Sequence, residues 1–123
     1  MSPDSRQIVG EAGENLACAE LQRRGYAILA RRYRTRFGEI DIVARDGTTT
    51  VFVEVKSRLS DDFGGGADAV TAWKQRRVTR MAIDYLARHG LHDRPCRFDV
   101  VTVDLVDGLP QVDVFADAFE SAY

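Results

Sequence analysis

The chain of 123 residues lacks the features that mark membrane, secreted and zinc-binding proteins. No apolar run approaches the roughly 20 residues of a membrane span, and the opening MSPDSRQIVG lacks the charged-then-apolar pattern of a secretion signal. Its 2 cysteines are too few for a disulfide framework and match no zinc-binding spacing. We therefore expect a cytoplasmic protein without a membrane partner, in which Cys18 and Cys96 are reduced core thiols.

Lysine is scarce, and the last part of the chain has no basic residue. Of the 17 basic residues, 15 are arginine, which suits bidentate phosphate contacts better than lysine does. Residues 1–97 carry 17 basic and 13 acidic side chains, whereas residues 98–123 carry 6 acids and no base. The net charge of −2 therefore permits a basic face on an acidic chain without proving one.

Hydrophobic periodicity predicts one domain over residues 1–123, built from two helices and five strands. The predicted elements are a helix at about 5–24, the strands YAILARRYR, GEIDIVAR and TVFVEVKSR, a helix at about 70–89, and the strands CRFDVVTVDLV and PQVDVFADAF. The order α-β-β-β-α-β-β indicates an α/β or α+β protein with one mixed sheet. LSDDFGGGADAV is predicted to be a mobile loop at the mouth of a cleft. It lacks the Gly-Lys-Ser/Thr of a phosphate loop, so we expect no nucleoside triphosphate site.

Two strands of the predicted hairpin carry charges where buried strands are usually apolar. Glu39 and Asp41 lie in the first strand, and Glu54 and Lys56 lie in the second. Because side chains alternate along a strand, these charges should share one face, and the face that includes Ile40 should be wholly apolar. A four-residue DGTT loop would place Asp41 opposite Glu54, whereas a two-residue Asp-Gly turn would place Glu39 opposite Glu54.

Two opposed carboxylates repel at the ~5 Å spacing of paired strands unless a proton, a cation or a divalent metal relieves the repulsion. Mg²⁺, Mn²⁺ and Ca²⁺ prefer carboxylate oxygens and tolerate positions filled by water. Asp41 and Glu54 are therefore candidate metal ligands, with the backbone carbonyl of Val55 as a third. Lys56 would then orient or deprotonate a water, or stabilise charge on a phosphate oxygen. The alternative is a solvated outer face on which Glu39 and Lys56 form a surface ion pair.

The first helix carries an acid that its neighbours place toward the sheet. The residues at i−4, i+3, i+4 and i+7 from Glu14 are Gly10, Ala17, Cys18 and Leu21, a small and apolar surround. An inward acid is costly unless it is paired or lies near a metal, so Glu14 is a further candidate site residue. A partly exposed helix acid is the alternative.

This order of residues resembles the PD-(D/E)XK nuclease superfamily. More closely, it resembles the YraN-like family of small bacterial proteins, which are predicted endonucleases related to archaeal Holliday-junction resolvases. The resemblance runs from about Gly10 to Asp104 and rests on GEIDIVARDGTTTVFVEVKSR, FGGGADAVTAWKQRR and RFDVV. It implies a restriction-endonuclease-like fold, with a central mixed β-sheet flanked by helices.

The resemblance also implies roles for individual residues. Asp41 and Glu54 would form the metal site, Lys56 would be the catalytic lysine, and Glu14 would be the supporting acid on the helix. Ile40 stands where the superfamily has a proline before the aspartate.

Two groups of basic residues are candidates for contacts to DNA phosphates. The first group, RRYRTR at the end of the first strand, contains Arg31, Arg32, Arg34 and Arg36, of which the last three are the candidates for phosphate contacts. The second group, along the second helix, contains Lys74, Arg76, Arg77 and Arg80. Solvated surface charges are the alternative for both groups. Trp73 beside the second group is expected in the core rather than as a platform for stacking a base.

From the residues and the resemblance we predict a metal-dependent DNA endonuclease that hydrolyses phosphodiester bonds, with Mg²⁺ or Mn²⁺ as cofactor. The DNA substrate would be duplex or branched, and junctions are one kind of branched DNA. A homodimer would suit an enzyme that cleaves both strands. Two alternatives stay open. One is a nucleic-acid-binding module of the same fold with little or no cleavage, and the other is an adaptor whose charged hairpin face binds another protein.

Overall fold

The helices and strands follow one another in the predicted order, in a computed structural model that describes residues 5–58 and 71–119. They are α1 (Ser5–Arg23), β1 (Ala27–Thr35), β2 (Gly38–Asp46), β3 (Thr49–Arg58), α2 (Ala72–Arg88), β4 (Cys96–Val106) and β5 (Leu109–Phe119). The predicted loop at 59–70 lies outside the described residues. Neither α1 nor α2 is long and apolar enough to cross a membrane.

Each helix ends at a glycine in a left-handed conformation. After α1, Gly25 has φ = +93°, and its N–H donates to Gln22 while the N–H of Tyr26 donates to Leu21. This is the Schellman arrangement, in which a residue without Cβ satisfies the last carbonyls of the helix. Gly90, with φ = +64°, ends α2 in the same way. The glycines of RRGY (residues 23–26) and of His89-Gly90 therefore mark both helix ends.

The sheet has the order β1-β2-β3-β4-β5, in which β3 and β4 are parallel and the other neighbours are antiparallel. Two parallel strands need a long crossover connection, and the segment that contains α2 supplies it. The predicted fold class, a mixed α/β sheet flanked by helices, is confirmed.

The β2–β3 hairpin adopts one of the two predicted registers. The chain turns at Gly47–Thr48, and the backbone pairing runs as far as Ile42 and Val53. Continued by one residue, this register sets Asp41 level with Glu54. The charged residues therefore lie where the hairpin ladder ends.

Separate hydrophobic cores lie on the two faces of the sheet, one under each helix. The α1 core contains Ala17, Cys18, Leu21, Ile42, Ala44, Val51, Val53, Val101 and Val103, and the α2 core contains Ile40, Val43, Phe52, Val78, Met81, Ala82, Tyr85, Leu86 and Phe98. Ile40 and Ile42 were expected to share a face but lie in different cores. The prediction of one wholly apolar face through Ile40 is therefore wrong, because the alternation of β2 breaks at Asp41.

The two cysteines also differ in their surroundings. Cys18 is buried in the α1 core as predicted, whereas Cys96 is exposed. Cys96 is the first residue of β4, and burial along this strand begins only at Phe98. The prediction of a core thiol is therefore wrong for Cys96.

A glycine of α1 allows this helix to approach β3 closely. A Cβ added at Gly13 would lie 2.4 Å from Oγ and 2.7 Å from Cβ of Ser57, well inside contact distance. The next residue, Glu14, is only 8% exposed. The close approach at Gly13 therefore brings the Glu14 carboxylate against the sheet.

We expect Gly13→Ala to destabilise the fold by about 1–3 kcal/mol, because α1 must move away from Ser57 to make room for the methyl group. Chemical denaturation measures this free energy of unfolding. Gly10→Ala is the matched control: a Cβ there meets nothing within 4 Å, so the better helix former should stabilise by about 0.5–1 kcal/mol. Ser57→Gly should restore part of the loss in the Gly13→Ala background. A Gly13→Ala variant as stable as the parent would contradict the close approach.

Candidate active site

Asp41 lies just past the end of the β2–β3 ladder, where its side chain replaces a backbone contact. Its Oδ2 accepts a hydrogen bond from the N–H of Val55 at 2.8 Å. Val55 stands between Glu54 and Lys56, so this single hydrogen bond holds the Asp41 carboxyl group beside both of them.

The Asp41 and Glu54 carboxyl groups meet, as the register predicts. The pKa of Asp41 is raised from 3.8 to about 7, chiefly by burial, then by the charge of Glu54 and less strongly by that of Glu14. The hydrogen bond from Val55 acts in the opposite direction, whereas a side-chain hydrogen bond with Glu54 adds to the increase in pKa. Near neutral pH, Asp41 therefore retains a proton that a divalent cation can replace.

Lys56 lies against the start of α2, where it contacts Lys74. Burial and this contact lower the pKa of Lys56, while the charges of Glu54 and Asp41 act in the opposite direction. A lysine with a lowered pKa gives up its proton more readily than an exposed lysine does. Lys56 is therefore better suited to proton transfer than an exposed lysine is.

Glu14 reaches the sheet as predicted, and two arginines of β1 hold it there. Nε of Arg31 donates to Oε1 at 2.9 Å, and Nε of Arg32 donates to Oε2 at 3.3 Å. Arg32 has φ = +52°, a left-handed conformation that breaks the alternation of β1 and lets two successive arginines reach one carboxylate. Both oxygens of Glu14 are therefore engaged by arginines, and its supporting role in the site stays a prediction.

A pocket of about 370 Å³ opens beside Asp41 on the face that α1 covers. It is lined by Gly10, Glu11, Glu14, Arg32, Asp41, Val55 and Ser57. Oγ of Ser57 is buried and has no hydrogen-bond partner within the described residues. A buried hydroxyl group without a partner, next to two acids, offers a hydrogen bond to a water molecule in this pocket.

The donor set fits a hard divalent cation held by two carboxylates. Among residues 5–58 and 71–119, no group of three His, Cys, Asp or Glu side chains lies close enough to hold a metal ion. Mg²⁺ is commonly held by one or two carboxylates and keeps several waters, so Asp41 and Glu54 meet its needs without Glu14. The role of the Val55 carbonyl oxygen as a third metal ligand stays a prediction.

The family model described as "Uncharacterised protein family UPF0102" matches residues 13–103. The chain belongs to the UPF0102 family. This is the YraN family, so the family predicted from the motifs is confirmed. The UPF0102 protein of Geobacter metallireducens is 47% identical over 94% of both chains. That of Anaeromyxobacter dehalogenans is 49% identical over 95% of this chain and 87% of its own.

Among solved structures, this UPF0102 chain is similar to SfsA of Pyrococcus furiosus, determined in complex with Ca²⁺. The TM-score is 0.42 and the sequence identity 15%, over 90% of this chain and 63% of the SfsA chain, less than two thirds of its length. A similarity this low has no bearing on the site. The family match, by contrast, spans Glu14, Asp41, Glu54 and Lys56.

Within the described part of this UPF0102 chain, Glu39 pairs with Arg34 and forms no ion pair with Lys56. Its Oε2 accepts a hydrogen bond from Nε of Arg34 at 3.2 Å, and the Arg34 side chain is 86% exposed. Lys56 contacts Lys74 instead. The surface ion pair between Glu39 and Lys56, the alternative considered from the sequence, is therefore wrong.

The basic residues of β1 and of the turn after it have different partners. Arg32 is bound to Glu14, and Arg34 is paired with Glu39. The Cζ of Arg36 lies 5.0 Å from the centre of the Phe37 ring. Of these three arginines, Arg36 is the one that the structure shows on an aromatic ring rather than on an acid.

The first turns of α2 carry the second basic group. Phe37, Trp73, Arg76, Arg77 and Arg80 line a pocket of about 260 Å³, here called the arginine–aromatic pocket. Trp73 is 58% exposed, so the prediction that it lies in the core is wrong. The buried residues of α2 begin only at Val78, and the first turns therefore extend past the core.

The helix and strand patterns of the sequence did not predict three features of the structure. Regular strand periodicity would place Arg31 and Arg32 on opposite faces of the sheet. Arg31 nevertheless binds Glu14, because Arg32 beside it has a left-handed conformation. Ser57 lines the pocket of about 370 Å³ beside Asp41, and no pattern in the sequence singles it out. Asp99 is fully buried, where it accepts hydrogen bonds from Arg97 at 3.0 Å and Tyr26 at 3.1 Å. Its inward position in β4 was a signal, because a buried acid requires such partners.

Proposed function

We propose that the protein is a metal-dependent DNA endonuclease that hydrolyses phosphodiester bonds. The observation that carries this proposal is the half-buried Asp41 carboxyl group in contact with Glu54, with a pKa raised to about 7. Partly buried carboxyl groups that face each other cost folding free energy in the absence of a cation. Such pairs are typical of sites that bind a divalent metal.

In this proposal Asp41 and Glu54 hold Mg²⁺ or Mn²⁺, with the Val55 carbonyl as a further ligand. The cation would supply Lewis-acid polarisation of the phosphate and would acidify the attacking water. Lys56 orients this water or accepts its proton, which its lowered pKa favours. The water oxygen bonds to phosphorus as one ester P–O bond breaks, so no covalent intermediate with the protein is needed.

The basic residues would hold the DNA backbone against this site. Lys74 adjoins Lys56, and the arginine–aromatic pocket begins at the neighbouring Trp73. Arg34 and Arg36 extend the basic surface along the β1–β2 turn. We propose duplex or branched DNA as the partner, and a homodimer would bring two such sites to the two strands.

One observation favours a second candidate, a nucleic-acid-binding module of the same fold with little or no cleavage. Both oxygens of Glu14 are bound to arginines. The site is therefore left with two carboxylates for a metal, which weakens the case for two-metal catalysis and for fast turnover.

A cleavage assay tests the endonuclease directly. We expect the protein to cut a panel of linear, flapped and four-way-junction DNAs in Mg²⁺ or Mn²⁺ and to cut none in a chelator. Glu54→Gln should reduce cleavage by at least about 100-fold, because the amide removes one anionic ligand while keeping the shape of the side chain. Glu20→Gln is the matched control, since Glu20 pairs with Arg23 and Arg24 on α1 and lies outside the site.

The outcomes separate the two candidate functions. Cleavage by the parent and by Glu20→Gln, with loss in Glu54→Gln, supports the endonuclease. DNA binding without cleavage of any DNA in either metal would leave the binding module. Equal cleavage by Glu54→Gln and the parent would point to a contaminating nuclease and remove the support for the site.

A further inference from the structure

The arginine–aromatic pocket contains an exposed ring that the fold does not use. The Trp73 ring is 58% exposed, although large aromatic side chains contribute most when they are buried. The Cζ of Arg77 lies 4.7 Å from the centre of this ring. The Cζ of Arg80 lies 5.7 Å from the centre of the Phe37 ring. The pocket therefore combines an accessible ring with guanidinium groups held in place by aromatic contacts.

The backbone of β2 fixes one side of this pocket. Gly38 has φ = +132°, and a Cβ there would lie 3.5 Å from Nε of Arg77. Nε of Arg77 is buried and has no hydrogen-bond partner among the residues that the structure describes. Within those residues Arg76 and Arg77 form no ion pair with an acid. No acid among the described residues therefore neutralises their positive charge.

Two connections place the pocket next to the candidate active site. Trp73 directly precedes Lys74, which contacts Lys56. Gly38 begins β2, three residues before Asp41. A ligand on Trp73 would therefore lie one residue along α2 from Lys74, which contacts the candidate catalytic residue Lys56.

We propose that the arginine–aromatic pocket binds one unpaired nucleotide of the DNA, its base stacked on Trp73 and its phosphate bound by Arg76 and Arg77. An aromatic ring offers a base no specific hydrogen bonds but stacks on any exposed base face. Bases inside a duplex are covered by their neighbours, so an accessible ring in a small pocket selects nucleotides that are unstacked. The inference rests on the proposed endonuclease and names its substrate class, which is DNA with unpaired nucleotides beside the cut.

Trp73 is the only tryptophan in the chain, so its fluorescence reports on this pocket alone. In a chelator, where cleavage is absent, we expect a single-stranded oligothymidylate to quench the fluorescence and a blunt duplex of equal phosphate concentration to quench it far less. Trp73→Ala should weaken binding to the single strand by at least about fivefold, measured by anisotropy of labelled DNA, whereas Trp73→Phe should retain most of the affinity. Ile83→Ala, which removes another exposed apolar side chain of α2, is the matched control and should bind as the parent does.

The arginine contact has its own measurement. Arg76→Ala should flatten the dependence of log affinity on log salt by about 0.7, the value for one phosphate on a single strand. Arg88→Ala, on the same helix but paired with Asp84, should leave this slope unchanged.

Failure of this inference differs from failure of the proposed function. Quenching by the single strand in a protein that cuts no DNA would support the pocket and remove the endonuclease. Cleavage of blunt duplex as fast as of flapped DNA, at equal rates in Trp73→Ala and the parent, would keep the endonuclease and overturn the pocket. Equal quenching by duplex and single strand would also overturn it.

Discussion

Lys56→Ala is expected to slow DNA cleavage by about 100- to 10,000-fold while binding DNA and Mn²⁺ nearly as the parent does. The reason is that Lys56 would act on the attacking water or on charge that develops during the reaction, and not on the bound DNA itself. Its loss should therefore lower the maximal rate of cleavage at saturating DNA. Single-turnover cleavage rates, together with DNA affinity measured in a chelator, distinguish these two effects.

Two further lysine variants sharpen this test. Lys56→Arg should recover little activity, because a guanidinium group is broader than an ammonium group and does not release its proton. Lys74→Ala removes the contact that helps to lower the pKa of Lys56. If Lys56 acts as a neutral amine, the rise of the cleavage rate with pH should move to higher pH in Lys74→Ala.

A different result would assign Lys56 to the surface. Lys56→Ala should then cost at most about 1 kcal/mol of stability and leave cleavage intact. Cleavage by Lys56→Ala at the rate of the parent, in a preparation purified identically, would refute the catalytic assignment.

The order and the ends of the strands and helices were predictable because short stretches of sequence determine them. Gly25 and Gly90 must take left-handed conformations, so both helix ends are visible in the sequence. Asp107 and Gly108 likewise have φ = +52° and φ = +78°, as the tight turn between β4 and β5 requires, and Asp-Gly is a common pair in such turns. These signals involve one or two residues each, and no distant contact is needed to interpret them.

The acid pair was predictable for a related reason. Once the turn of the hairpin is chosen, pairing across the two strands determines which residues are level. The sequence left two turns open, and the structure has the register that brings Asp41 to Glu54. The choice of turn was therefore the only information missing for this contact.

The failures concern departures from strand periodicity and contacts between distant segments. A left-handed Arg32 has no sequence signature, because arginine rarely adopts this conformation, and it sends two successive arginines to Glu14. Ile40 changes core at the same place in the sheet, beside Asp41. The exposure of Trp73 depends on how far α2 extends past the sheet, which its helical pattern does not state. All three departures lie at or beside the candidate site. Functional sites are where proteins commonly depart from regular strand and helix patterns.

Near pH 8, Asp41→Asn is expected to be more stable than the parent without metal and less stable than the parent with Mn²⁺. In the folded protein the pKa of Asp41 is raised from 3.8 to about 7, chiefly by burial and by Glu54. Below about pH 4 the group is protonated in the folded and unfolded chains, so it contributes no difference in stability. Between about pH 4 and pH 7 only the unfolded chain loses the proton, and the metal-free protein becomes less stable as the pH rises. Above about pH 7 the full penalty is present, at most about 4 kcal/mol.

Asparagine mimics the protonated acid, because its carbonyl oxygen can still accept the Val55 N–H and its amide can donate to Glu54. In a chelator, Asp41→Asn should therefore match the parent near pH 4 and unfold at a temperature several degrees higher near pH 8. Excess Mn²⁺ should reverse this order near pH 8, because the cation stabilises the parent by binding the folded state and the variant lacks one anionic ligand. Asp93→Asn, which alters a side chain that is 94% exposed, is the control and should follow the parent throughout. Thermal unfolding across pH with and without Mn²⁺ measures all of these effects, and equal Mn²⁺ stabilisation of Asp41→Asn and the parent would exclude Asp41 as a metal ligand.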